Sequence, residues 1–274
     1  MKYPEHEFDV IKKTSIPNTI DSLKSDLKAL GVKTASTIIM HSALSQIGWT
    51  VGGPVTVIKA VMEILTPKGT IVMPSFTGDN SEPSKWENPP VPQDWWEIIR
   101  RNMPAYNPSI TPTRGLGIIA ETFRKYPKVM RSDHPISSFA AWGKHAKKVI
   151  ENHELDSDLG ENSPLAQIYN LNGQILLLGV SHSNNSSLHL AEYRCEYRGK
   201  RFSPTGSAIQ IKNERKWVVW NELNHNSDDF EKLGRDFETM IGYQPKKVGN
   251  AESRLLSQRK MVDFAVKWLV KNRN

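Results

Sequence analysis

The chain has too little cysteine, too few long apolar runs and too few clustered charges to support several otherwise ordinary readings. Its single cysteine, Cys195, excludes an internal disulfide and any paired-thiolate zinc motif. No apolar stretch approaches the ~20 residues needed to span a bilayer, and Met1-Lys-Tyr-Pro-Glu-His-Glu7 lacks the apolar segment of a signal peptide. A cytoplasmic protein with no membrane partner is expected. There is no Gly-x-Ser-x-Gly elbow, no Gly-Lys-Ser/Thr phosphate loop and no dinucleotide fingerprint, which removes the common hydrolase, NTPase and Rossmann signatures. No internal repeat or low-complexity tract occurs; the nearest is Glu82-Pro-Ser-Lys-Trp-Glu-Asn-Pro-Pro-Val-Pro92.

What is present suits one large α/β domain or two small ones, with a real core: 274 residues, 38% of them hydrophobic, and a formal charge of +7. The positive balance favours an anionic partner: nucleic acid, a membrane surface or a phosphate-bearing cofactor. Nucleic acid is disfavoured because the basic residues are scattered, in short pairs such as Lys147-Lys148 and Arg259-Lys260, with no stripe that alternates them with aromatics.

In chain order, Ile20, Leu23, Leu27 and Leu30 recur on one helical face, with Thr19 or Asp21 as a cap and Gly31 as a stop. Thr37 to Met40 reads as a strand, His41 to Gly53 as a loop with glycines at 48, 52 and 53, and Pro54 to Leu65 as a helix. Thr70 to Met73 is a second strand, and Ile118 to Phe123 a helix behind Thr111-Pro-Thr-Arg-Gly-Leu-Gly117. Ala208 to Ile211 and Trp217 to Trp220 read as a hairpin around Lys212-Asn-Glu-Arg215. A helix is expected from Ser227-Asp-Asp-Phe230 to about Met240, and a terminal one over Arg254 to Lys271.

The chemistry is sought in Ile175-Leu-Leu-Leu-Gly-Val-Ser-His-Ser-Asn-Asn-Ser-Ser-Leu-His-Leu-Ala-Glu-Tyr193: a buried strand, a small polar loop and a helix start. His189 and Glu192 stand three apart, so on a helix they share one face. A carboxylate can then accept from one imidazole nitrogen and leave the other free to take a proton. Such a pair is more often an exposed surface contact; its place just beyond a buried strand, flanked by Leu188 and Leu190, argues for a site. Ser187 or Cys195 as a hydrolytic nucleophile, and a zinc site from His182, His189 and Glu192, are rivals without the required spacing. On a helix shared with His189, Cys195 would lie ~240° around the axis, away from the base.

These fragments in this order resemble the aminoglycoside 3-N-acetyltransferases. The resemblance covers nearly the whole chain and rests on Met40-His-Ser-Ala-Leu-Ser45, Gly52-Gly53, Gly69-Thr-Ile-Val-Met-Pro74, Trp86 with Pro89-Pro-Val-Pro92, Thr111-Pro-Thr-Arg114, Arg131-Ser-Asp-His-Pro135, Ser163-Pro-Leu165 and, above all, Ser187-Leu-His-Leu-Ala-Glu192. It implies one three-layer α/β domain over residues 1–274 around a mixed sheet, unlike the common acetyl-CoA-dependent superfamily. It also implies acetyl-CoA as co-substrate, no metal, and a polyamine acceptor such as an aminoglycoside. By the same resemblance the cofactor contacts fall on His41, Ser42, Ala43, Leu44, Ser45, Gly52, Gly53, Thr111, Thr113, Arg114 and Ser138. The base falls on His189 with Glu192 as its partner, and the acceptor pocket on Asp79, Trp86, Asp156, Asp158 and Glu192. The family more often has a second serine where this chain has Ala43, which leaves backbone contacts there. Oxyanion donors are sought in the glycine loop or in Ser75 and Thr77. Homodimerisation is left open.

Overall fold

Adjacent residues of the central strands are buried on opposite faces of one sheet, and this alternation sets the layers. In the computed structural model, which describes residues 5–273, Ile39, Val72, Ile175 and Leu177 join one apolar cluster, while Ile38, Met40, Ile71, Met73, Leu176 and Leu178 join another. Strands buried on both sides are near-continuous apolar runs for this reason. The opening Met1-Lys-Tyr-Pro, read above as part of a segment without signal-peptide character, lies outside the described residues.

The sheet has seven strands, in the order β3-β4-β2-β1-β5-β9-β8. They are β1 Thr37–Ser42, β2 Thr70–Pro74, β3 Met130–Arg131, β4 Phe139–Gly143, β5 Gln174–Leu178, β8 Lys246–Val248 and β9 Ala251–Ser257. A separate hairpin joins β6 Phe202–Ile211 to β7 Glu214–Leu223. β1 runs parallel to β2 and β5, and the outer pairings are antiparallel, so the sheet is mixed. Helices Ile20–Leu30, Pro54–Leu65 and Gly117–Arg124 cover one face, through Leu27, Val61 and Phe123. Pro164–Asn170, Ser187–Arg194, Phe230–Ile241 and Gln258–Asn272 cover the other, through Leu165, Leu188, Phe237 and Met261. No helix among the described residues is long and apolar enough to cross a membrane.

Most expected elements form at or near the expected limits. The first helix is capped by Thr19, whose hydroxyl accepts from Ser22 N, and is closed by Gly31 at φ 116°. Three stretches differ. β1 continues through His41 to Ser42 and is followed by a one-turn helix, Leu44–Ile47, so the irregular part of the expected loop is mainly its second half, Gly48 to Gly53. The hairpin turns on Lys212 and Asn213 alone, at φ 50° and 65°, the two-residue turn whose twist suits paired strands. The terminal helix starts at Gln258, because Arg254–Ser257 belong to β9, where Leu255 and Leu256 pair with Leu176 and Ile175 and face opposite cores.

Candidate active site

Three parallel strands end side by side, and a cavity opens beyond them. β2, β1 and β5 deliver Pro74, His41-Ser42 and Leu178-Gly179, and chains leaving adjacent strand ends in different directions make the crevice where open α/β sheets bind ligands. The cavity holds about 700 Å³ and is walled by Met40, Leu44, Met73, Leu116, Ile118 and Val180. His41, Ser42, Ala43, Leu44, Ser45 and Gly53 all line it. Gly115, Leu116 and Gly117 border it too, ahead of the helix Gly117–Arg124, whose first turn has no side-chain cap and so keeps backbone donors free for an anion. A site of this size, apolar with a few donors, fits a thioester cofactor.

The other expected cofactor residues stand back from this wall. Gly52 is exposed, and a Cβ there would meet the Thr56 hydroxyl at 2.9 Å. Thr111 accepts from Asn107 N at 3.0 Å, and Thr113 donates its hydroxyl to Glu121 at 2.8 Å. The Arg114 guanidinium is paired with Asp79, an expected acceptor residue. Ser138 is fully buried; its hydroxyl donates to Ser75 O at 2.7 Å and accepts from Arg131 Nε at 3.0 Å, which ties β4 to the end of β2. Thr77 spends its hydroxyl on Pro135 O, while the Ser75 hydroxyl is buried without a partner and lies outside the cavity wall.

The corner that holds His189 and Glu192 adjoins this cavity. Ser186 lines the cavity, and its carbonyl accepts from His189 N at 3.1 Å in the first turn of the helix Ser187–Arg194. The turn is organised by Asn185, whose side-chain oxygen accepts from Ser187 N at 3.2 Å, rather than by a serine cap. His189 Nδ1 donates to Glu192 Oε2 at 2.6 Å, and the glutamate side chain has no exposed surface. Burial would push the Glu192 carboxyl up, but His189, His225 and Arg273 outweigh it and hold it well below the usual carboxylate range. Burial lowers the His189 imidazole against the opposing pull of Glu192, so the ring is neutral near pH 7. Its neighbour His41, lowered to about 3 mainly by burial, is neutral as well.

Glu192 Oε1 is gripped from behind by Arg273 Nη1 at 2.5 Å, Asn226 N at 3.2 Å and the Tyr197 hydroxyl at 3.4 Å. His225 is the residue that sequence reasoning missed. It follows the hairpin and puts Nε2 2.9 Å from Asp158 Oδ2 and Nδ1 3.6 Å from Glu192 Oε2, with its ring centre 4.6 Å from that of His189. Asp158 has no exposed side-chain surface and also accepts from Ser137 at 3.0 Å and Tyr193 at 2.6 Å. Asp156, two residues earlier, is exposed, and Trp86 is half-buried, donating from Nε1 to Ser81 at 2.8 Å. His182 is bound to Glu238 at 2.9 Å and takes no part.

Donor atoms of His189, Glu192 and His225 lie within 4.8 Å of one another, as do those of Asp158, Glu222 and His225. Two ligands of one zinc at ~2.0–2.1 Å stand roughly 3.3 Å apart. The 2.6 Å contact between His189 and Glu192 is therefore the spacing of a hydrogen bond rather than of two zinc ligands. Neither residue of the rival hydrolase reading is placed for attack: Ser187 is fully buried with its hydroxyl accepting from Gln258 at 3.2 Å, and Cys195 sits in the core with Sγ on Ala191 O.

The chain as a whole has clear counterparts among known proteins. A model of the aminoglycoside 3-N-acetyltransferase family matches residues 39–270, and the chain belongs to that family of acyltransferases. It is 46% identical over 264 residues, 96% of each protein, to the SPbeta prophage-derived aminoglycoside N(3')-acetyltransferase-like protein YokD of Bacillus subtilis (strain 168). It is 32% identical to aminoglycoside N(3)-acetyltransferase VII of Streptomyces paromomycinus, over 96% of this chain and 95% of that one. Among solved structures, YokD superposes with a TM-score of 0.94 at 45% identity, covering 97% of this chain and 98% of that one. AAC-IIIb, solved as a binary complex with CoASH, gives 0.85 at 28% identity over 94% and 98%. AAC-VIa bound to sisomicin gives 0.83 at 27% over 94% and 99%.

Proposed function

We propose that the chain is an acetyl-CoA-dependent N-acetyltransferase that acetylates the 3-amino group of the 2-deoxystreptamine ring of aminoglycosides, by direct transfer with His189 as general base. The observation that carries this reading is the neutral His189, oriented through Nδ1 by a buried carboxylate, one helical turn from a residue that lines the cofactor cavity. The unbound ring nitrogen takes a proton as the acceptor nitrogen forms its bond to the thioester carbonyl. The C–S bond then breaks, and the thiolate collects a proton. Glu192 keeps its charge throughout and favours the imidazolium that forms transiently beside it. His41 to Ser45, Gly53 and the uncapped turn at Gly117 hold the cofactor. AAC-IIIb with CoASH and AAC-VIa with sisomicin support the two ligands, each being a structural relative across nearly the whole chain.

A second reading, the same transfer to a different amine, is favoured by one observation. Carboxylates expected to meet a polycation are already paired within the chain, Asp79 with Arg114 and Asp158 with His225. A thiol-release assay with acetyl-CoA against aminoglycosides and simpler amines separates the two. Release with aminoglycosides, and mass spectra placing the acetyl group on the 3-amine, is the expected result. Release with simple amines alone would transfer the assignment to the second reading.

A further inference from the structure

His225 stands among more charge than a neutral ring would need. Asp158 lies on one side and Glu192 on the other, both without exposed side-chain surface, while Glu222 comes from its own chain segment and Tyr193 from the helix Ser187–Arg194. His134 approaches Asp158 from the turn before β4, Arg273 reaches Glu192 from the end of the last helix, and the Lys85 charge acts on Glu222. Two buried carboxylates flanking one imidazole leave a negative charge uncompensated unless both ring nitrogens carry protons, and an uncompensated buried charge is costly.

We propose that His225 is a positioning residue for the transfer: wedged between Asp158 and Glu192, it fixes the carboxylate that His189 uses and sets a standing positive charge beside the base. The geometry gives this role two consequences. Glu192 Oε2 bonds His189 at 2.6 Å, while His225 Nδ1, buried without a hydrogen-bond partner, stands at the ion-pair distance of 3.6 Å from the same oxygen, so a carboxylate turned away from the base would also part from the His225 charge. The two imidazoles meet at 4.6 Å between centres, so the charge on one opposes protonation of the other. An acceptor amine close to His189 meets the same field, which favours the free base, the form that is a nucleophile. Burial alone would lower His225, but Asp158 and Glu192 outweigh it and push it up to about 10. Glu222, raised to about 8 by burial and by Asp158, is mostly neutral at pH 7, so His225 answers two carboxylates and not three.

The inference rests on His189 being the base, and its test has a readout that needs no turnover. NMR titration of the histidine ring signals in the full-length protein should show His225 still protonated above pH 8 and His189 titrating below the ordinary histidine range. In His225→Gln the His189 midpoint should rise by about one pH unit, and the acidic limb of kcat/KM should rise with it. Activity is then lost ~10-fold below the limb and recovered at alkaline pH. A wild-type His225 that titrates near 6.5, a His189 midpoint unmoved in the variant, or a loss equal at every pH would overturn the proposal. The wild-type titration decides it even if the variant does not fold. A His189→Ala protein that still turned over would instead sink the base assignment and leave the coupling of the rings to be judged by the titration alone.

Discussion

The two halves of the site are built in opposite ways. The half proposed for the cofactor comes from strand ends, glycine turns and apolar side chains, and its buried histidine, His41, is neutral because nothing compensates a charge there. The half proposed for the acceptor is an interlocked set of charges, in which His189, Glu192, His225, Asp158 and Arg273 come from four separate stretches of chain. The first half recognises by shape and backbone, so single side chains there should matter modestly. In the second, each group sets the protonation of the next, so removing one disturbs several. Substitutions on the two sides should therefore differ in kind as well as in size.

The largest effect is expected at the base. His189→Ala should lower acetyl transfer by ~10²-fold or more, as removal of a general base does, while calorimetric affinity for acetyl-CoA stays near wild type. Loss of cofactor binding of similar size would erase the distinction between the halves and assign His189 to the cofactor side.

Glu192→Gln should cost less, ~10-fold in turnover, and should shift the pH profile. Glu192 raises the His189 imidazole, so without its charge His189 gives up its proton at lower pH and the acidic limb moves down. His225→Gln moves the same limb up. Opposite signs from two neighbours of one ring are hard to reproduce by general damage to the fold. A Glu192→Gln limb that stayed in place would make the glutamate an anchor for Arg273 only.

The same division decides what could be read from the sequence. The cofactor half is local: Met40 to Ser45 and Gly53 sit in one strand, glycine and helix unit, and the resemblance named its residues. The His189 and Glu192 pair is local as well, three residues apart on one helix. Thr111, Thr113 and Arg114 point towards the right neighbourhood, but the wall itself is formed by the next residues, Gly115 to Ala120, because the side chains before them are drawn to Glu121 and Asp79. His225 was not legible. It lies 67 residues from Asp158 and meets it only after the hairpin β6–β7 folds back. Its own surroundings, Asn224 and Asn226, read as a polar loop. β9 was missed for a related reason: Leu255 and Leu256 suit a helix face as well as a strand buried on both sides, and only the pairing with β5 settles which.

On the cofactor side, Gly53→Val should act through the backbone. Gly53 has φ 57° and ψ −133°, a conformation that a β-branched residue adopts only at a cost of about 1–3 kcal/mol, although a Cβ there meets no atom within 4 Å beyond its chain neighbours. The expected outcome is a lower melting temperature and a several-fold weaker acetyl-CoA Kd, with kcat at saturating cofactor and the acidic limb unchanged. A moved limb would couple the two halves more tightly than their construction suggests.

The smallest effect is expected at Cys195, where direct transfer and a covalent acetyl-enzyme make different demands. A thioester route needs a thiolate within reach of the cofactor, and a thiolate forms readily only in an electropositive, accessible setting. Cys195 lies just past the end of the helix that carries His189, buried among core residues, with Sγ donating to Ala191 O at 3.1 Å. Burial pushes its thiol up despite Lys200 and Arg273 nearby, and it does not line the cavity. Cys195→Ala should therefore keep most of the transfer activity. Its stability loss should be the ~1 kcal/mol of a small core truncation, and initial-rate patterns should remain those of a ternary complex. Acetyl label recovered on Cys195 after incubation with acetyl-CoA alone, and chased into product by acceptor, would overturn direct transfer and move the chemistry from the charge network to the core.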